Sequence, residues 1–97
     1  MTEGIVDFSY DIPNLELRTV IQEVGIRVGY WRSVYHSQNP FFRECFVDEM
    51  AQAAGQDPYA FRRTLLSGGH AKRDLAILDA VAKAAGWGTA LPNGVHR

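Results

Sequence analysis

The sequence predicts an α+β chain, two or three N-terminal strands followed by three short helices, forming a piece of a larger domain. Three observations carry that prediction. Residues 15–24, LELRTVIQEV, alternate Leu15, Leu17, Thr19 and Ile21 on one side with Glu16, Arg18, Val20 and Gln22 on the other. Two dipeptides, Asn39-Pro40 and Asp57-Pro58, each pair a capping side chain with a proline whose fixed φ suits the first helical position. Glycines at 55, 68–69 and 86 then follow apolar residues at helical spacing, where they act as stops.

Taken in order, residues 1–31 are mainly extended, with a short strand near residues 5–8, another over 15–22 and a third around 26–31. Asp11-Ile12-Pro13-Asn14 is turn chemistry, because proline restricts itself and the residue before it. Residues 32–39 form a polar loop. The helices fall within 40–86. The first runs to Ala54 with Phe42, Phe46, Met50 and Ala54 as its apolar stripe, Cys45 and Val47 at its sides, and Asn39 as its cap. The second ends at Leu66. The third, over 71–85, turns Leu75, Leu78, Val81, Ala82 and Ala85 inward, and Trp87 stands ready for a contact past its glycine stop. Residues 87–97 form a tail without periodicity. Two or three strands make a poor sheet alone, so the chain reads as a slice of a larger protein.

Ninety-seven residues allow a single domain with a modest core. A formal net charge of −1 gives no electrostatic reason to expect nucleic acid or an anionic membrane as partner. No apolar run nears the roughly 20 residues of a bilayer span, and the N-terminus lacks a signal-peptide pattern. A cytoplasmic location is the default, with export of a longer parent left open. The lone Cys45 excludes an internal disulfide or a multi-cysteine metal site, and beside an apolar stripe it reads as a small hydrophobe. His36, His70 and His96 lack the spacing and acidic or cysteine partners of metal ligands, so no metal ligand is assigned. Asp48-Glu49 and Arg62-Arg63 read as solvated helix faces. A helix-turn-helix is disfavoured, since the candidate recognition helix is alanine-rich with few basic residues.

The stretch WRSVYHSQN, residues 31–39, remains. A loop ahead of a helix N-terminus offers free N–H groups, the positive end of the helix dipole and the Arg32 side chain to an anion. The plainer alternative, an exposed Arg32 and a merely capping Asn39, is favoured on these residues alone.

Longer stretches resemble a known family. YDIPNLEL, GYWRSVYHSQNPFFRECFVDEMAQAAGQDPYAFRRTLL and AVAKAAGWG look like the molybdopterin-binding domain in the large subunit of the xanthine dehydrogenase and aldehyde oxidase superfamily. The branch most like it is the bacterial isoquinoline 1-oxidoreductase β-subunit type. Much of the superfamily carries Arg-Gly-Phe-Gly-x-Pro-Gln, then a helix with Phe, Glu and Asp-Glu-hydrophobic-Ala, then Gly-x-Asp-Pro. Here these positions hold Arg32 through Gln38, Phe41, Glu44, Asp48-Glu49, Ala51, Gly55 and Asp57-Pro58.

The resemblance implies an oxidoreductase that hydroxylates aldehydes or aromatic N-heterocycles with water-derived oxygen, using a molybdenum–pterin cofactor. It implies as partners the remainder of the large subunit and a small subunit carrying [2Fe–2S] clusters. By the match, Arg32 supplies positive charge near the metal's oxo ligand, Ser33 falls nearest the metal and Gln38 ties the loop down. Val34 matches a substrate-packing phenylalanine, and Tyr35 stands where glycine is usual, lining the substrate pocket. The family's cofactor-binding glycine segments and its glutamate base match nothing here. No catalytic residue is therefore assigned, and the chain alone is expected to be inactive and to bind no cofactor. The alternative is a free-standing small α+β protein-interaction module without cofactor, possibly homo-oligomeric.

Overall fold

A computed structural model describes residues 2–95. Three α-helices carry the architecture: α1 over Asn39–Ala53, α2 over Pro58–Leu65 and α3 over Lys72–Ala84. Single 3-10 turns precede α1 (Val34–Ser37) and α3 (Gly69–Ala71). The helices pack in sequence, α1 on α2 and α2 on α3.

The described residues contain no strand, so the chain is all-α and the predicted α+β class is corrected. The physical reason is plain. Among the described residues, 13–30 make no backbone–backbone hydrogen bond, because no neighbouring segment offers them a ladder. Alternation of side chains marks a segment that can pair; it does not supply the partner.

The helix punctuation behaves as its chemistry dictates. Asp57 accepts the Ala60 N–H at 2.9 Å ahead of Pro58. After α1, Gly55 takes φ 64° while Gln56 N–H reaches Ala51 C=O at 2.9 Å and Gly55 N–H reaches Gln52 C=O at 3.0 Å. This double bond pattern repeats after α3, with Trp87 N–H to Ala82 C=O at 2.9 Å and Gly86 N–H to Lys83 C=O at 3.1 Å.

Packing corrects several face assignments. The core comprises Val47, Ala51, Leu66 and Ala71, with Ala51 at 0 % exposure. Phe42 and Phe46, expected inward, are exposed on a groove, and Val81 is exposed while Leu75, Leu78 and Ala82 are half-buried. Asn39 is buried but does not cap α1; its Nδ2 donates to Glu3 C=O at 2.9 Å and ties down the N-terminal segment.

The chain leaves too much surface uncovered for its mass. Its accessible area is 8055 Å², against about 5,500 Å² for a folded monomer of 10.8 kDa. Its radius of gyration is 16.3 Å where about 12.5 Å is the norm for this length. Residues 15–31 contribute to the excess: Val20, Val28 and Tyr30 are 86 %, 88 % and 94 % exposed.

Candidate functional site

The loop at 32–38 is held in an uncommon conformation. Ser33 has φ 67° and Val34 φ 45°, both left-handed, which is costly for a residue with a Cβ and more so for a β-branched one. Val34 N–H closes the turn on Trp31 C=O at 3.0 Å, and His36 N–H reaches Ser33 C=O at 2.8 Å. Ser37 Oγ bonds to Val34 C=O at 2.6 Å and to Gln38 Oε1 at 2.7 Å. The loop thus fastens itself before α1 begins.

A cleft of about 550 Å³ lies against it, lined by Tyr30, Trp31, Val34, Tyr35, Ser37 and Gln38 among others. Of the residues singled out from sequence, Val34, Tyr35 and Gln38 are brought together around this cleft. Arg32 and Ser33 lie beside it and do not line it. The Arg32 guanidinium makes no ion pair or hydrogen bond among the described residues and is exposed. That leaves an exposed cation on the loop beside the cleft. The loop offers one edge of such a site, not an enclosure.

The three histidines do not converge. His36 lies 3.7 Å from the Asp7 carboxylate at the surface, His70 sits in the 3-10 turn before α3, and His96 lies outside the described residues. Cys45 is a half-buried free thiol. Among the described residues no three His, Cys, Asp or Glu side chains gather as a metal site, and no helix is long and apolar enough to cross a membrane.

A second cluster escaped the sequence reading. Tyr10 O–H donates to Glu44 Oε2 at 2.8 Å, Arg43 Nε to Glu44 Oε1 at 2.8 Å and Arg62 Nε to Glu44 Oε2 at 3.1 Å. Arg62 also donates to Glu44 C=O at 2.9 Å and to the Asp48 carboxylate. Its side chain is only 12 % exposed, so Arg62 is a staple between α1 and α2 and not the solvated face expected. Arg63 is the exposed one, paired with Asp79 on α3 at 3.0 Å. Burial pushes Glu44 up, but the hydrogen bonds from Tyr10, Arg43 and Arg62 outweigh it and hold the carboxyl below its ordinary range. Burial first, and then Glu44, push the Tyr10 phenol up to about 12. The available signal was Glu44 and Asp48, four apart on one helix face, opposite an arginine on the next helix.

The residues that carried the family resemblance build this corner. Glu44 anchors the staple, Ala51 is fully buried, Gly55 holds the left-handed turn, and Asp57-Pro58 starts α2. No protein-family model matches the chain, and no solved structure does. A curated relative does: the membrane-bound aldehyde dehydrogenase [pyrroloquinoline-quinone] of Gluconacetobacter polyoxogenes is 34% identical over 89 aligned positions. The alignment covers 78% of this chain but 12% of that enzyme, so the chain spans about an eighth of its relative's length. The similarity links the chain to an oxidoreductase.

Proposed function

We propose that the chain is a segment of the large subunit of a molybdenum hydroxylase, acting on aldehydes or aromatic N-heterocycles, in which residues 32–38 form one wall of the active-site funnel. The observation that carries this reading is the backbone at Ser33. The superfamily pattern has glycine there, and Ser33 takes φ 67°, the conformation glycine adopts without strain. The similarity to an aldehyde dehydrogenase supports the same reaction class.

The residues fit a partial role toward the molybdenum–pterin group. Arg32, without a partner among the described residues, would hold negative charge, while Gln38, bonded to Ser37, would brace the loop. Val34 and Tyr35 present side chains to the cleft, where a planar ring can lie against them. When bound, the cofactor supplies the redox centre for hydroxylation. The remainder of the subunit and a [2Fe–2S] partner supply the rest.

The relative's name carries a quinone in place of a metal, which makes the cofactor the decisive measurement. The test isolates the protein that carries this sequence from its own cells, measures molybdenum and pyrroloquinoline quinone, and follows dye-linked oxidation of aldehydes and N-heterocycles. Stoichiometric molybdenum with turnover is the expected result; turnover with quinone and no molybdenum overturns the proposal. Arg32→Ala in that protein is expected to lower kcat/KM at least tenfold, as loss of a positioning charge does.

A further inference from the structure

The turn at Ser33 and Val34 puts two consecutive residues with side chains in the left-handed region, at φ 67° and 45°. Such backbone persists only where the surroundings over-determine it. The loop's own hydrogen bonds, Val34 N–H to Trp31 C=O, His36 N–H to Ser33 C=O and Ser37 Oγ to Val34 C=O, all close within residues 31–37. They shape the loop but do not seat it on the helices. The N-terminal segment supplies that seat.

Residues 3–11 run along α1 as a strap and meet the end of the loop at Gly4. Gly4 is buried at φ 75°, and a Cβ there would lie 3.0 Å from His36 Nδ1 and 3.1 Å from Pro40 Cδ. Bare backbone thus packs on the loop's end and on the first turn of α1, in a conformation that glycine adopts without strain. Around this contact Asn39 Nδ2 donates to Glu3 C=O at 2.9 Å, and Arg43 Nη1 donates to Gly4 C=O at 3.0 Å. The Asp7 carboxylate accepts the Gly4 N–H and lies 3.7 Å from His36 Nε2. The far half of the strap is fastened to all three helices. Tyr10 O–H donates to Glu44 at 2.8 Å, Asp11 N–H to Leu65 C=O at 2.8 Å, and Ser9 Oγ to the Asp74 carboxylate.

We infer that residues 3–11 are a strap that fixes the loop at 32–38 on α1, with Gly4 and Asn39 as positioning residues for that loop. This deepens the functional proposal above and rests on its reading of the loop as a wall of the active-site funnel. None of residues 3–11 lines the cleft, so the strap acts on it only through His36 and the start of α1. A loop held this way presents Val34, Tyr35 and Gln38 to the cleft in one geometry, as orientation of a bound substrate requires.

Amide hydrogen exchange and turnover test this in the protein that carries this sequence, isolated from its own cells. Gly4→Ala crowds His36 and Pro40, and Asn39→Asp keeps the side chain's size while removing its donor to Glu3 C=O. Both are expected to speed exchange over residues 33–38 about tenfold and to leave residues 58–66 unchanged. Asp57→Ala, which removes the α2 cap, is expected to do the reverse. At unchanged molybdenum content, Gly4→Ala and Asn39→Asp are expected to lower kcat about tenfold, the effect of a misplaced loop. Loop exchange that neither variant moves overturns the inference, and so does equal acceleration of both regions, which is general destabilisation. A loosened loop with unchanged kcat overturns the positioning role. Exchange is read without reference to metal, so an unresponsive loop in a molybdenum-loaded protein refutes the strap and spares the functional reading. A responsive loop in a protein without molybdenum does the opposite.

Discussion

The loop over residues 13–31 and the corner between α1 and α2 differ in one respect that decides everything else. In the corner, every strong local signal is answered by a partner: Asp57 finds the Ala60 N–H, Gly55 closes α1, and Arg62 finds Glu44 and Asp48. In the loop, an equally clear alternation is answered by no backbone hydrogen bond among the described residues. Helices satisfy their backbone within one segment, while a strand needs another chain segment beside it. A helical signal is therefore answered within its own segment, while an alternating one is answered only where a second segment lies beside it.

The sharpest way to break this contrast is to remove the staple. Arg62→Ala removes the four hydrogen bonds made by a largely buried guanidinium and leaves Glu44 half-buried with fewer donors. We expect a loss of about 2 kcal/mol, seen as a fall of roughly 8–16 °C in the circular-dichroism melt. A melt within 2–3 °C of the parent chain would mean the corner stands without it.

Acid should act on the same place with smaller effect. Glu44 has a folded pKa below its unfolded value, so its contribution is fully present above the ordinary carboxylate range and is lost as pH falls through the depressed value. Helical signal should therefore decline below about pH 4.3, the unperturbed glutamate value. Glu44→Gln should flatten that decline, and an unchanged acid limb in the variant would assign it to other carboxylates. At the alkaline end Tyr10 has the opposite sign: its contribution is present below the unfolded value and is lost as pH rises toward about 12.

The smallest effect is expected in the loop. Val28→Ser changes a side chain that is already 88 % exposed, so stability of the isolated chain should move by less than about 0.5 kcal/mol. A larger loss would show that the loop is packed in the isolated chain after all.

Much of the helical half was legible. Asp57-Pro58, Gly55 and Gly86 act locally, through a side-chain oxygen, a fixed φ and a left-handed φ, and each stands where the residues placed it. Of the candidate site, Val34, Tyr35 and Gln38 meet at one cleft, while Arg32 and Ser33 stand outside it. The sequence placed these residues on one loop but could not say which way each side chain points across two left-handed residues. Asn39 was misread for a related reason: Asn-Pro is a cap by local chemistry, yet α1 begins at Asn39 itself, after Gln38, and the Asn39 Nδ2 donates to Glu3 C=O.

What the residues determined alone was whatever depends on a few neighbours along the chain: most helix starts and stops, and the bend before residue 15. Tertiary structure decided the rest. It put Val47 and Ala51 in the core in place of Phe42 and Phe46, brought Arg62 to Glu44, and left the backbone of residues 13–30 without a hydrogen-bond partner among the described residues. Burial and pairing are properties of two segments at once, and one segment's pattern states only what it is prepared to meet.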